Sequence, residues 1–317
     1  MKILVTGAVG FIGFNLSKFL LKKKINIVGI DNINNYYSLK LKRDRLSILK
    51  EYKNFKFYQI DLKDEKKLKK VFKGSKFTAV FHLAAQAGVR YSVDYPKKYI
   101  ESNINGFFNL IEQIRFKKIT KFFYASSSSV YGESKSFPLK EKGNLFPTNT
   151  YSLSKKFNED LSSIYSKFYK VNAVGLRFFT VYGEWGRPDM FYSKVLDSAF
   201  KNSKLYLNNH GNHSRDFTYI RDVNLILYNL LKSKKISGNE ILNICSNKPL
   251  SIIKLVKTIE SQSKKIKIYK RTMQKADVIK THGDNSKIKK LKLIKKFTSF
   301  DEGIKNTLEW YKKYHNF

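Results

Sequence analysis

The chain has 317 residues, 42% hydrophobic and 15% aromatic, enough apolar material for one large or two modest cores, which excludes a disordered or fibrous protein. Its formal charge is +37, yet 53 of the 62 basic residues are lysines scattered along the whole chain, whereas a nucleic-acid reader leans on arginine; the charge reads as solvated surface that weakly attracts anionic ligands, with no nucleic-acid partner. A single cysteine, Cys245, excludes an intrachain disulfide and points to a reducing compartment, and no apolar run approaches the ~18 residues of a membrane span.

Strand and helix patterns alternate from the first residues. A strand over Ile3–Thr6 starts right after Met1, which leaves no room for a signal peptide and predicts a cytoplasmic protein. There follow a helix over Phe11–Lys23, strands over Ile25–Ile30 and Phe55–Ile60, a helix over Asp64–Phe72 and a strand over Ala79–Leu83. A helix over Tyr99–Arg115, a strand over Lys121–Ala125, a helix over Ser152–Tyr169 and a strand over Ala173–Phe178 complete the series. The strands are near-continuous apolar runs, as expected when both faces are buried in a parallel sheet. Such alternation predicts a doubly wound α/β architecture. Past residue 178 the pattern breaks up into an Asn-, Lys- and loop-rich stretch, predicting a smaller C-terminal substrate-binding lobe over 179–217 and 247–317. Elements of the main sheet return at about 218–246, including a strand over Glu240–Ile244.

Gly7, Gly10 and Gly13 follow the first strand and open the first helix, the arrangement of a dinucleotide-binding Rossmann domain, here over residues 1–178. Gly7 permits the tight turn, Gly10 lets the backbone approach a pyrophosphate, and Gly13 allows close helix–strand packing; Phe11 and Ile12 complete the helix N-terminus that faces the phosphates. Asp31 ends the second strand 18 residues after Gly13. A carboxylate there accepts from the adenosine ribose and repels a 2′-phosphate, which argues NAD over NADP. Asp61 and Leu62 end the third strand; Asp61 is suited equally to an adenine amino group and to capping a helix. Ala84 and Ala85 end the fourth strand, where small residues let a cofactor lie against the backbone, and His82 reads as structural.

A Tyr-x-x-x-Lys pair puts both side chains on one helix face, where the lysine and a positive nicotinamide lower the tyrosine pKa towards general-base duty. The pattern occurs five times, at 36/40, 52/56, 131/135, 151/155 and 228/232, so spacing alone decides nothing. Context selects Tyr151 and Lys155, which open a helix after a turn and lie 24 and 28 residues past Ser127 at the end of the fifth strand. In a doubly wound sheet both segments reach one crevice, where Ser127 can share a hydrogen bond with the tyrosine and a sugar hydroxyl.

The order of glycine triplet, Asp31, Ser127, Tyr151 and Lys155 resembles the extended short-chain dehydrogenase/reductase family, over essentially the whole chain. More narrowly, Ala84-Ala-Gln-Ala-Gly-Val-Arg90-Tyr-Ser92, Ala125-Ser-Ser-Ser-Ser-Val-Tyr-Gly132 and Arg177-Phe-Phe-Thr-Val-Tyr-Gly-Glu-Trp-Gly-Arg-Pro-Asp-Met190 resemble the UDP-glucuronate 4-epimerase subfamily. Arg215-Asp-Phe-Thr-Tyr-Ile220 is similar to the segment whose arginine grips the UDP diphosphate in such enzymes. The resemblance implies bound NAD, a UDP-sugar substrate destined for surface polysaccharide, and a homodimer paired through the helices at 99–115 and 152–169. Three departures stand out: Glu184 replaces a proline, Phe191 replaces a small residue, and Lys275-Ala276-Asp277 replaces Pro-Gly-Asp, the last two in a region expected to shape the uridine pocket.

In the family a shared first step takes the sugar 4-hydroxyl proton and the C4 hydride. Dehydratases and decarboxylases then need an acid just before the Val-Tyr-Gly, but Ser128 and Ser129 stand there, which leaves 4-epimerisation. A 4-keto uronate loses CO2 when its carboxylate aligns with the carbonyl π system, so hydroxyls and a cation must hold it aside. Ser127, Ser128, Thr180 and Arg187 are the candidates, Arg187 being suited also to stabilising its own loop through carbonyls or Asp189. Arg90 is suited to the diphosphate or the carboxylate, or simply to a fold-stabilising ion pair. The alternatives are a UDP-glucose or UDP-N-acetylhexosamine 4-epimerase and, further off, a decarboxylase.

Overall fold

A computed structural model of the chain describes residues 1–317 except 236, 275 and 276. Its first half alternates strand and helix: β1 (Lys2–Thr6), α1 (Phe11–Lys22), β2 (Asn26–Asp31), α2 (Leu39–Lys50), β3 (Phe55–Gln59), α3 (Glu65–Phe72) and β4 (Ala79–His82). Two short helices, α4 (Val89–Asp94) and α5 (Pro96–Tyr99), run through a π-helical stretch at Ile100–Asn105 into α6 (Gly106–Phe116). Then come β5 (Phe122–Ser127), a 3₁₀ turn at Ser128–Tyr131, α7 (Thr150–Tyr169), β6 (Ala173–Phe178) and β7 (Thr180–Tyr182). The remainder comprises α8 (Phe191–Lys201), β8 (Leu205–Leu207), β9 (Ser214–Tyr219), α9 (Ile220–Lys232), β10 (Asn239–Ile244), β11 (Pro249–Ser251), α10 (Ile252–Glu260), β12 (Ile268–Lys270), α11 (Ser286–Lys290) and α12 (Phe300–His315).

Seven strands form one sheet in the order β10-β6-β5-β4-β1-β2-β3, every pairing parallel. The chain therefore reverses its direction of travel between β1 and β4, and a doubly wound sheet opens a crevice at that point, beyond the carboxyl ends of the strands. The strands read as expected: β1 and β4 to β6 are almost wholly buried, with Leu4, Val80, Phe122 and Ala173 facing one helical layer and Ile3, Phe81, Phe123 and Val174 the other. Phe107 on α6 packs tilted or edge-on against Phe122, Tyr124 and His82 at centroid distances of 5.3–5.7 Å.

The expectation of a loop-rich second half needs correction. Helices α8, α9, α10 and α12 bury amphipathic stripes in the same large core as α1, and two small sheets, β11-β9-β7 and β12-β8, lie outside the main one. The patterns were hidden because these strands are short and the outward helix faces are lysine-rich. The returning elements near 218–246 are α9 and β10, and β10 pairs with β6 at the edge of the main sheet. Among the described residues no helix is long and apolar enough to cross a membrane.

Asp216 on β9 fastens this second half to the sheet edge. Its fully buried carboxylate accepts from the amides of Ser246, Asn247 and Gly283 at 3.0–3.1 Å and from the Ser246 hydroxyl at 2.8 Å. Truncating it strands three buried donors, each costing about 1–3 kcal/mol. Asp216→Ala is expected to lower unfolding free energy by roughly 3 kcal/mol or more, measured by urea denaturation; a loss within ~0.5 kcal/mol would show that the carboxylate is dispensable.

Candidate active site

Two adjoining cavities occupy the carboxyl edge of the sheet. The first, of about 250 Å³, runs along the ends of β1, β2 and β4 and is lined by Gly7, Gly10, Phe11, Ile12, Gly13, Asp31, Asp61, Leu62, Ala84, Ala85, Tyr151 and Lys155, every residue expected to hold the dinucleotide. The second, of about 580 Å³, lies between the sheet edge and the second half of the chain. Arg90, Ser127, Ser128, Thr180 and Arg215 line it. Ser127 lines both cavities, whereas Arg187 lines only the first.

The glycine turn fits a dinucleotide physically. Gly7 has φ +71°, and a Cβ on it would sit 2.6 Å from the Ala84 amide nitrogen. On Gly13 a Cβ would meet the Gly7 carbonyl oxygen at 2.0 Å, so the first turn of α1 presses directly on the loop. Gly10 caps α1 without a side chain, and Phe14 N reaches Gly10 O at 2.9 Å, leaving the preceding amides of the first turn as donors at the positive end of the helix. Asp31 accepts from the amides of Val9 (3.2 Å) and Ile33 (2.8 Å). Burial nevertheless raises its pKa, opposed by those amides and by the charges of Lys42 and Arg45. Asp61 does not cap α3; Asp64 does, accepting from Lys67 N. The Asp61 carboxylate instead accepts from Lys63 N and from the Asn32 amide at 3.0 Å each, on the cavity wall. His82 is structural as read: its Nδ1 lies 2.8 Å from Thr6 Oγ1, and burial drives its pKa down to about 3.

Ser127, Tyr151 and Lys155, the trio expected from the sequence to be catalytic, line the first cavity together. Tyr151 and Lys155 sit one turn apart near the start of α7, whose N-terminus carries a reciprocal cap between Asn149 and Ser152. Lys155 is 1% exposed, and its Nζ donates to the Ala125 carbonyl at 2.8 Å, lying 6.0 Å from the Tyr151 ring centre. Burial pulls Lys155 down to about 8, against the opposing charge of Glu159. Burial also raises Tyr151, with the Ser127 hydroxyl and the Arg187 charge opposing. In the protein alone the charge opposing the rise of Tyr151 is that of Arg187, and the Lys155 ammonium is turned to the backbone of β5.

The arginines arrive with partners. Arg187 forks onto Asp189, Nε–Oδ1 at 2.9 Å and NH2–Oδ2 at 2.6 Å, and the Tyr36 hydroxyl donates to the same carboxylate at 3.2 Å. The Nε–NH2 side of the guanidinium is therefore taken by a neighbour two residues away, and the remaining N–H groups of NH1 and NH2 are left for an end-on contact. Thr180 and Arg187 do not line the same cavity. Arg90 forms the ion pair weighed from the sequence, a fork onto Asp277 at 2.7–3.1 Å. Arg215 donates to the carbonyls of Ser214 (2.8 Å) and Ile279 (3.0 Å), and burial takes its pKa down to about 10.

The departures divide similarly. Glu184 accepts from Tyr219 Oη at 2.8 Å and pairs with Arg221, so it joins two buried elements. Phe191 opens α8 and lines the second cavity, as does Asp277, while Lys275 and Ala276 lie outside the described residues. Sequence reading missed Tyr36, Lys42 and Asp189 as cavity-lining groups. Lys42 is 5% exposed and bonded to Asn34, but nothing distinguishes it among 53 lysines.

Residues 4–307 match the GDP-mannose 4,6 dehydratase family. The chain belongs to that family. A UDP-glucuronate 4-epimerase of Thermodesulfobacterium geofontis is 40% identical over 313 residues, covering 98% of this chain and 96% of its own. The crystal structure of UDP-glucuronic acid 4-epimerase from Bacillus cereus, in complex with UDP-glucuronic acid and NAD, superposes with a TM-score of 0.91 at 32% identity, covering 99% of this chain and 100% of that one. UDP-glucose 4-epimerase from Thermotoga maritima, with UDP-glucose, gives a TM-score of 0.89 at 27% identity, over 99% and 100%. These extended short-chain dehydrogenase/reductase relatives establish the chain as an epimerase, an isomerase by class.

Because Gly7 combines positive φ with a 2.6 Å approach to backbone, even the smallest side chain must displace β4. Gly7→Ala is expected to cost about 1–3 kcal/mol or more, read as a lower Tm; an unchanged Tm would show that the turn has slack.

Proposed function

We propose that this protein interconverts UDP-glucuronate and UDP-galacturonate by NAD-dependent 4-epimerisation. The observation that carries the reading is the seam between the two cavities: Ser127 lines both, and Tyr151 and Lys155 line the first. A reactive sugar carbon at that seam touches cofactor on one side and the hydroxyl base on the other. NAD fits the first cavity, with the Gly7–Gly13 turn for its pyrophosphate, Asp31 for the adenosine ribose and Asp61, Leu62, Ala84 and Ala85 along its length; bound there, it supplies a hydride acceptor and a positive nicotinamide that favours the tyrosine phenolate.

Tyr151 takes the proton of the sugar 4-hydroxyl, and Ser127 orients that hydroxyl. Lys155 anchors the cofactor-side ribose and keeps positive charge near the base. Once the 4-keto sugar has turned its other face to the cofactor side, where the hydride would be returned to C4, Tyr151 gives the proton back to the O4 oxygen. Arg215 and Arg90 bind the diphosphate, with Arg90 leaving or sharing Asp277 to do so. Ser127, Ser128 and Thr180 hold the carboxylate, and NH1 of Arg187 offers it a charge-assisted end-on bond. No acid stands at Ser128 or Ser129 to run elimination or decarboxylation, and Asp189, which lines the second cavity, is held by Arg187 and Tyr36. One observation favours a neutral-sugar epimerase acting on UDP-glucose or a UDP-N-acetylhexosamine: the Arg187 fork is already compensated by Asp189.

The reading includes a division of labour, with 1–178 (and 218–246) holding NAD and 179–217 with 247–317 holding the nucleotide sugar, in a cytoplasmic homodimer. Free, buried Cys245 is consistent with a reducing compartment. Dimerisation is supported by the apolar residues that α6 and α7 leave exposed: Phe108 (47%), Phe116 (63%), Leu153 (54%), Ile164 (50%) and Phe168 (64%). So many large apolar side chains exposed on two neighbouring helices are unusual for a monomer. Sedimentation is expected to give a dimer at micromolar concentration, and Leu153→Glu with Phe168→Glu a monomer; a wild-type monomer would remove this part of the proposal.

Tyr151→Phe is expected to cut turnover of UDP-glucuronate about 10²–10⁴-fold while NAD stays bound to the purified protein; near-normal turnover would move the base elsewhere. Arg187→Ala separates the substrate readings. A uronate enzyme is expected to lose far more UDP-glucuronate than UDP-glucose turnover and to release CO2, whereas equal losses without CO2 favour a neutral sugar.

A further inference from the structure

We propose that Glu159 is a positioning residue for the catalytic pair, clamping α7 to β5 and supplying the counter-charge beside Lys155. This rests on the reading of Tyr151 and Lys155 given above. Glu159 follows Lys155 by one helical turn, on the same face of α7. It is 6% exposed. One carboxylate oxygen accepts from Ser126 Oγ at 2.5 Å and Arg177 Nε at 2.9 Å, and the other from Arg177 NH2 at 2.7 Å. Lys155, one turn earlier, donates to the carbonyl of Ala125. The two side chains therefore grip consecutive residues of β5, immediately before Ser127. Sliding or tilting of α7 would break both grips, so the pair fixes where Tyr151 stands relative to Ser127.

The same geometry has an electrostatic consequence. Lys155 is buried, with one carbonyl as its bonded protein partner. Tyr151 faces it from its own helix, His82, which is held neutral by burial, from β4, and Arg177 from β6; Arg187 stands beyond Tyr151. Glu159 is the carboxylate whose charge opposes the loss of the lysine proton. It is held in place by the Arg177 fork, and Arg177 is braced in turn by Tyr131 Oη at 2.9 Å, itself bonded to Asn243 at 2.7 Å. Removing the Glu159 charge leaves burial alone acting on Lys155, so the ammonium is lost at lower pH.

The test is the pH profile of kcat at saturating UDP-glucuronate, with NAD retained after gel filtration followed across the same pH range. The alkaline limb is expected near pH 8 in the wild type, where Lys155 loses its proton. Glu159→Gln is expected to move that limb, and the pH at which NAD is lost, down by about one unit or more; Glu159→Asp, which keeps the charge, is expected to restore much of the shift. Because Glu159→Gln strands the buried Arg177 guanidinium at a cost in stability, Glu159→Gln with Arg177→Met removes both charges and is expected to show the same downward shift. A limb that stays in place in the double variant, while Lys155→Met is inactive, overturns the role of Glu159 and leaves the base assignment standing. An active Lys155→Met overturns both.

Discussion

The site depends on how closely two stretches of backbone approach at the carboxyl edge of the sheet. The turn at Gly7 lies so near Leu83 and Ala84 that no side chain fits between them, and the first turn of α1 rests on the Gly7 carbonyl with equal closeness at Gly13. That contact can exist only where β1 and β4 are neighbours and the chain changes direction, since the helices leaving them go to opposite faces. The crevice, the exposed helix N-terminus and the alanine-lined floor are three aspects of one constraint. Ser127 arrives from β5, Tyr151 and Lys155 from α7, and the second cavity is closed by segments that leave the sheet at β6 and return at β9.

Within that crevice, burial and charge oppose one another at Lys155, Tyr151 and Arg187. Burial lowers Lys155 and raises Tyr151. Neighbouring charges oppose these shifts: Glu159 supports the lysine, and Arg187 favours the tyrosinate. Arg187 and Asp189 show the same compensation in another form. Burial works against the guanidinium, and the adjacent carboxylate more than offsets it. A cation so compensated is a stable wall for the cavity, and under the proposed reading it is a weak lure for a uronate.

Much of this was legible in the chain itself because the signals were local. Continuous apolar runs marked the parallel strands of the first half to within two residues, and the glycine triplet, Asp31, Ser127, Tyr151 and Lys155 stood at strand ends or helix starts. What was hidden depends on contacts distant in sequence or on ambiguous composition. Arg90 and Asp277 are 187 residues apart. Helix α2 carries buried Lys42 and Arg45 on a lysine-rich segment that resembles plain surface. The second half looked like loop because β7, β8, β11 and β12 each have three residues, too few to establish a period. Spacing placed Lys155 one turn from Tyr151 but said nothing of the Ala125 carbonyl that turns its ammonium aside.

The central claim is that a hydride leaves C4 and returns to the opposite face of the same sugar within one closed crevice. It is tested most directly with UDP-glucuronate carrying deuterium at C4, followed by NMR without added NAD. The account predicts UDP-galacturonate with the deuterium retained at C4, no exchange with solvent and no release of CO2. Loss of the label from C4, or a pentose product in place of UDP-galacturonate, would contradict it.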